Sequence, residues 1–90
     1  MQILLERNPE PVKLEVLGVY DWPIWRKEAS SIPLTYKQQE TCYILRGKYT
    51  VTPHEGEPQR FKLGHQITIT KGMSCTWNIE KDVEKHYDYQ

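Results

Sequence analysis

The side chain in this sequence that is best placed to do chemistry is a carboxylate, that of Glu40, which opens a strand-like run. A carboxylate in an enclosed site can act as a general base, orient a ligand or bind a metal ion. The structural alternative, a rim residue hydrogen-bonded to Tyr36 or to backbone N–H groups, stays open. The two cysteines, Cys42 and Cys75, are not spaced as a CxxC zinc or redox motif, so free thiols are expected.

Aromatic side chains are abundant for a chain of this size, with three Trp, six Tyr and one Phe. Aromatic residues bury a large area each and can form flat walls for a small organic ligand. We take Trp25, Tyr36 and Trp77 as candidate ligand-binding walls, with plain core packing as the alternative. Cys42 and Cys75 are also ligand-binding candidates there, although buried positions in the core are the other interpretation.

The alternation of residues after Glu40 predicts a β-strand that would aim this carboxylate inward. Glu40, Cys42 and Ile44 fall on one face of a strand over residues 40–46, because successive side chains of a strand point to opposite sides. Gly47 predicts a tight turn, after which a second strand begins. The candidate site therefore lies at the start of a strand whose inner face is buried.

Runs of alternating or β-branched residues predict further short strands, over residues 24–29, 34–36, 48–52, 59–63, 66–70, 74–79 and 83–89. Breaks are predicted at 30–33 and 80–82. Residues 8–17 fit either a short N-terminal helix ending before Gly18 or an extended strand. Turns about every ten residues indicate an all-β fold, a single small antiparallel β-barrel or jelly roll.

Length and charge limit the classes of function. Ninety residues make one small domain, 1–90, and 12 basic residues balance 12 acidic residues. Without a basic field, nucleic acid is not expected as a partner. No apolar run is long enough to cross a bilayer, and residues 1–7 lack a signal-peptide core, so no membrane is expected. We expect a soluble cytoplasmic protein, or a plastid one if the source is a plant.

Glu40 with Gly47, and Gly64 followed by Thr70-Lys71-Gly72, resemble parts of the two motifs of the cupins, a family of small jelly-roll barrels of the RmlC type. The segments Trp22–Trp25, Glu40–Leu45, Lys71–Trp77 and Lys85–Tyr87 resemble one branch in particular. This is the (S)-ureidoglycine aminohydrolase cupin-domain branch, especially its short single-domain members. The resemblance covers residues 22–89 and implies a barrel with a site at its mouth.

The resemblance also implies where metal ligands should stand. The first-motif histidine positions fall on Leu34 and Tyr36, or on Pro33 and Thr35, and none is histidine. Cys75 occupies the position of the histidine in the second motif. With Glu40, it is therefore a catalytic candidate, either as a soft metal ligand or as a nucleophile. Glu40 and Cys75 are too few ligands for tight binding of Mn, Fe or Zn. We expect no tightly held metal, and the ureidoglycine activity is not transferred.

Three functions remain open from the sequence. One is binding or transformation of a small organic molecule in the barrel mouth without a tightly held metal. The second is a weakly metal-dependent cupin enzyme, and the third is a non-catalytic interaction protein. A homodimer is expected, because the aromatic excess leaves apolar surface to bury. His54 and His65 are expected in solvated turns, and alternation leaves the orientation of His86 undecided.

Overall fold

The computed structural model describes residues 3–90; Met1 and Gln2, the first residues of the predicted domain, lie outside the described part. Strand β1 spans Ile3–Arg7, helix α1 spans Pro11–Leu17 and a 3-10 turn spans Val19–Asp21. The other strands are β2 (Ile24–Lys27), β3 (Ser30–Thr35), β4 (Glu40–Pro53), β5 (Gln59–Lys62), β6 (His65–Ile69) and β7 (Ser74–Tyr89). The all-β prediction, with one short helix, is confirmed.

Every strand pairing in the described residues is antiparallel, as in a jelly roll. The sheet runs in the order β1-β6-β4-β7-β2, with β3 added on β7 and β5 added on β4. The two long strands, β4 and β7, pair along most of their length, and each contributes residues to both walls of the curled sheet. Their bend brings the start of β4 and the second half of β7 to one mouth of the barrel.

The two interruptions predicted within the long strands are wrong, because these strands bend where the sequence suggests that they stop. Strand β4 continues through Gly47, and β7 continues through residues 80–82. Register shifts between β4 and β7 mark bulges on both sides of Gly47. Gly47 has a φ of 89°, and a Cβ there would overlap the carbonyl oxygen of Asp82. The glycine is needed for this close approach of two backbones.

Two other segments form strands that the sequence patterns do not predict. Strand β1 pairs with β6, with Leu5 opposite Ile67. The predicted break at residues 30–33 is part of β3, where Pro33 stands opposite Thr76. Since β3 pairs with β7 alone, Pro33 lies in an edge strand, where a missing N–H donor is tolerated.

Helix α1 confirms the helical alternative for the N-terminal segment. Pro11 stands in its first turn, and Gly18 follows its last residue in the left-handed conformation, with a φ of 75°. Leu14 is the buried residue of the helix, whereas Val12 and Val16 are exposed. The helix therefore packs against the barrel through a narrow face only.

The core lies between the two walls of the curled sheet. The inward face predicted for Glu40, Cys42 and Ile44 is confirmed, since all three are buried. Other buried members of this core come from β4 to β7: Tyr49, Val51, Phe61, Ile67, Ile69, Cys75, Trp77, Ile79 and Val83. These side chains fill the interior of the barrel, and at the Glu40 end the barrel opens to a cavity that Trp77 also lines.

Candidate functional site

A cavity of about 700 Å³ opens at the barrel mouth. Strands β2, β3, β4 and β7, with the bend before β4, supply its wall: Trp25, Leu34, Thr35, Tyr36, Lys37, Gln38, Glu40, Trp77, Lys85, Tyr87 and Tyr89. Four of the predicted ligand-binding residues, Trp25, Tyr36, Glu40 and Trp77, lie on this wall. The volume is within the range of about 300–1,000 Å³ that is usual for small-molecule sites.

Glu40 is the first residue of β4 and is held between two neighbouring strands. It stands opposite Ile69 of β6 and Tyr89 of β7. Because Cys42 and Ile44 on the same face belong to the core, the side chain of Glu40 must also turn inward, and only 5% of the residue is exposed. The structure therefore places a carboxylate at the inner end of the cavity.

The partner of Glu40 is Lys85, a residue not predicted as part of the site. Its Nζ lies 3.1 Å from Oε1 of Glu40, and its side chain is 2% exposed. Lys85 lies on β7 between Val83 and Tyr87, which share its face and pack in or against the core. The alternation in β7 could have revealed it, since a lysine between two inward residues must itself point inward.

Two indole rings enclose the ammonium group of Lys85. Its Nζ lies 4.0 Å from the ring centroid of Trp77 and 5.1 Å from that of Trp25. The two rings meet edge to face, and the Trp77 ring also stacks on Tyr49. A cation over an aromatic face is attracted by the electron-rich ring, by about 2 kcal/mol when it is desolvated. The rings and Glu40 together stabilise a positive charge inside the barrel.

Two polar atoms of the cavity residues have no hydrogen-bond partner among residues 3–90: the Tyr36 hydroxyl and Nε1 of Trp77. Burial, and then the negative charge of Glu40, raise the pKa of Tyr36 far above its ordinary value. The nearby Trp77 side chain opposes this rise slightly, but no hydrogen bond of ordinary geometry joins the two. Tyr36 is therefore a neutral phenol. Burial and Glu40 also raise the pKa of Tyr89.

Both cysteines are free and fully buried, and neither belongs to the cavity wall. Burial is the largest cause and raises the pKa of each thiol; at Cys42 the positive charge of Lys85 opposes this rise, and at both thiols the charge of Glu40 adds to it. The Cys42 sulfur lies 3.8 Å from the Tyr49 hydroxyl. A nucleophile or metal ligand must be a thiolate, so this environment favours the alternative of small apolar core residues. The catalytic role of Cys75 and the ligand-binding roles of both cysteines stay predictions.

The residues at the barrel mouth do not fit a tightly held divalent metal. Residues 3–90 contain no group of three His, Cys, Asp or Glu side chains that could share an ion. The resemblance to cupins places first-motif ligands at Leu34 and Tyr36, and these are a hydrocarbon and a neutral phenol. The carboxylate of Glu40 is already paired with the ammonium of Lys85, whose positive charge would repel a nearby metal ion.

The three histidines lie away from the cavity. His86 faces the opposite side of β7, where its Nδ1 lies 2.9 Å from the carbonyl oxygen of Trp22 and its ring meets Tyr20. His54 is exposed in the turn after β4, as predicted. The prediction of a solvated turn for His65 is wrong, because His65 begins β6 and is 5% exposed. Its Nδ1 accepts a hydrogen bond from the backbone N–H of Lys62, at 3.2 Å.

The helical segments within residues 3–90 fall short of the length and apolar character that a membrane-spanning helix needs.

A curled antiparallel barrel with an inward glutamate at its mouth defines the class as a cupin-type barrel. A sequence profile described as the EutQ-like cupin domain matches residues 14–87. The chain therefore belongs to the EutQ-like cupin family. The resemblance to cupins is confirmed, and the match does not single out the (S)-ureidoglycine aminohydrolase branch.

Solved structures agree with this assignment. A DUF861 family protein from Thermotoga maritima is 40% identical, with a TM-score of 0.95 over 99% of this chain and 100% of that one. A structure described as an ethanolamine utilization protein Q from Salmonella typhimurium is 27% identical, with a TM-score of 0.66, over 73% of this chain and 53% of that one.

The EutQ protein of Clostridium difficile, at 17% identity and a TM-score of 0.67, shares the fold over 73% of this chain and 52% of its own. The chain thus spans about half the length of these two EutQ proteins. The comparison with curated proteins gave no match.

Proposed function

We propose that the cavity binds a small organic molecule, or transforms it if the protein is an enzyme. The ammonium of Lys85 is the positive centre of the cavity, in place of a tightly held metal. The observation that carries this proposal is the contact of 3.1 Å between Lys85 Nζ and Glu40 Oε1 at the cavity wall. A charged pair withdrawn from water costs several kcal/mol of solvation. A purely structural core would avoid that cost with two apolar side chains.

The walls of the cavity support an organic ligand with a flat or apolar part. Trp25 and Trp77 present indole rings, and Leu34 adds an apolar surface next to them. Polar groups from Thr35, Gln38 and the tyrosines are few and stand at separate points of the wall. This combination of mainly apolar lining with a small number of placed polar groups is typical of small-molecule sites.

The pair at the cavity wall also supplies the groups that an acid–base reaction needs. The Glu40 carboxylate can take a proton from a bound molecule, and the Lys85 ammonium can stabilise negative charge that develops on a ligand oxygen. Both groups lie within one hydrogen bond of each other, so a bound molecule could contact both.

The competing proposal, a weakly metal-dependent cupin enzyme, needs Glu40 to exchange Lys85 for Mn, Fe or Zn. Screening a library of small organic molecules by NMR against chelator-treated, indole-labelled protein distinguishes the two. We expect some compounds to shift the Trp25 and Trp77 indole signals, while Trp22, which is not on the cavity wall, serves as the internal control. If such shifts occur only after a divalent metal is restored, the metal-dependent function replaces ours.

Self-association is a second proposal, and it commits to another copy of this chain as the partner. Several large apolar side chains are exposed along the segment that runs from α1 to the start of β2: Val12, Val16, Leu17, Tyr20 and Ile24. We expect wild-type protein to sediment as a dimer and Val16→Lys as a monomer. Leu63→Lys, at an exposed residue in a different loop, is the matched control. Wild-type protein sedimenting at 10.7 kDa at high concentration would refute the dimer.

Membership of the (S)-ureidoglycine aminohydrolase branch stays a hypothesis that rests on the sequence motifs. The motif residues Glu40, Trp77 and Lys85 meet at the cavity and so support a common site. The activity of that branch is not part of the proposal, because residues 3–90 contain no cluster of His, Cys, Asp or Glu side chains that could hold a catalytic metal.

A further inference from the structure

The charged groups on the cavity wall leave one positive charge without a partner in the wall itself. The charged wall residues are Lys37, Lys85 and Glu40. Burial and Glu40 raise the pKa values of Tyr36 and Tyr89, so these phenols remain neutral and add no negative charge. Since the whole chain has a formal net charge of zero, the positive excess is a local property of the cavity.

Spare hydrogen-bond donors lie close to Glu40 on the cavity wall. An ammonium group carries three N–H donors and no acceptor, and among the described residues Lys85 Nζ donates to Glu40 Oε1. The Trp25 and Trp77 rings lie beside the same ammonium group and offer only their faces. Trp77 Nε1 is a further donor with no partner in the part of the chain that the structure describes, although it is shielded from water in this conformation.

From these observations we infer that the cavity takes a small organic monoanion, with its carboxylate on the Lys85 ammonium and its flat or apolar part against Trp25. This inference rests on the proposed function and adds the chemical class of the ligand. The ligand carboxylate would accept the N–H donors of Lys85 that Glu40 does not take, and its negative charge would offset the excess that Lys37 gives the wall. A neutral molecule would leave that excess unmatched, and a cation would meet both lysines.

The inference is tested with three probes of similar size and different charge at pH 7: benzoate, benzamide and benzylammonium. Dissociation constants are measured from the shifts of the Trp25 and Trp77 indole signals, with Trp22 as reference. A charge-assisted hydrogen bond is stronger than a neutral one, so we expect benzoate to bind about tenfold more tightly than benzamide. Benzylammonium should bind more weakly than either probe.

The Lys85→Met/Glu40→Gln double variant separates the role of Lys85 from the overall charge. It removes the pair while the net charge of the wall stays the same, and it leaves no buried charge unpaired. We expect the preference for benzoate over benzamide to disappear in it. Lys37→Met, at the exposed rim, should lower benzoate affinity by only a few fold, and Lys71→Met, in an exposed turn outside the cavity, should leave it unchanged.

Equal binding of benzoate and benzamide by the wild type, or a preference that survives in the folded double variant, overturns the anion site and leaves the proposed function intact. If none of the three probes binds while a neutral library compound shifts the Trp25 and Trp77 signals, the anion site is also overturned and the proposed function stays intact. If no compound at all shifts those signals, the proposed function fails together with the inference. The wild-type comparison decides the question even if the double variant does not fold.

Discussion

Lys85 and Glu40 form a buried ion pair inside the barrel, with side chains 2% and 6% exposed and a distance of 3.1 Å between Nζ and Oε1. The residues come from β7 and β4, the two strands that run through both walls of the sheet. The pair therefore joins the centre of the fold to the wall of the cavity, and its removal should affect both stability and binding.

Removing one partner of this pair should be strongly destabilising. Lys85→Met leaves the Glu40 carboxylate buried without a counter-charge, and we expect a loss of about 3–5 kcal/mol in the free energy of unfolding. The Lys85→Met/Glu40→Gln double variant should recover most of that loss. Urea unfolding followed by tryptophan fluorescence measures both.

The exposed pair of Lys48 and Glu80, 3.7 Å apart, provides the matched control. Lys48→Met should cost less than about 1 kcal/mol, because water screens a surface pair. A loss in Lys85→Met no greater than in Lys48→Met would show that the buried pair contributes little.

Gly47→Ala should destabilise the protein more than Gly18→Ala. Both glycines have positive φ, 89° and 75°, so alanine is strained at either position. At Gly47 the new Cβ would also collide with the backbone of Asp82, whereas at Gly18 no atom lies within 4 Å. We expect a loss of about 1 kcal/mol for Gly18→Ala and of more than about 2 kcal/mol for Gly47→Ala.

Thermal or urea unfolding of the two glycine variants measures the difference. Equal losses would mean that the β4 backbone can move away from β7 at the bulge without cost.

His65 should make the stability of the protein decrease with acidification. Burial first, and then the positive charges of Arg7 and Lys62, lower the pKa of His65 below 6.5. The unfolded chain therefore binds the proton more readily than the folded chain. The contribution to stability is complete above about pH 6.5 and is lost as the pH falls through the folded-state pKa.

Urea midpoints measured at several pH values between 5 and 8 test this. In His65→Asn, which keeps a side-chain acceptor but cannot titrate there, this component of the pH dependence should be absent. His54→Asn, at an exposed histidine, should retain it. A pH profile of His65→Asn identical to that of the wild type would contradict the assignment.

Tyr36→Phe should leave the stability of the ligand-free protein unchanged or raise it by about 1–2 kcal/mol. The Tyr36 hydroxyl is buried and has no hydrogen-bond partner within residues 3–90, and removing an unsatisfied polar atom removes its desolvation cost. Chemical denaturation provides the measurement. A loss above about 1 kcal/mol would reveal a hydrogen bond to that hydroxyl in solution.

The sequence predicts the local pattern of the fold better than its long strands. Alternation correctly places Glu40, Cys42 and Ile44 on a buried face, because it depends only on neighbouring residues. The continuity of β4 through Gly47 depends on Asp82, which is far away in the sequence. For the same reason a glycine in a bulge resembles a glycine in a turn until the pairing partner is known.

The candidate site was predictable in part. Trp25, Tyr36, Glu40 and Trp77 lie on the cavity wall, and their aromatic or acidic character and family motif positions indicate it. Lys85 was missed because a lysine in a strand is usually solvent-exposed. The alternation of β7 indicates its inward direction, but its burial also depends on Glu40 of β4 and Trp25 of β2, which meet it from other strands and which no local pattern reveals.

The most direct test of the central claim, that Lys85 rather than a metal ion is the positive centre of the cavity, is elemental analysis. Protein purified without added metal or chelator is measured for Mn, Fe and Zn per chain, together with its Glu40→Gln variant. We predict far less than one ion per chain in both proteins. One ion per chain in the wild type that is lost in Glu40→Gln would contradict the claim.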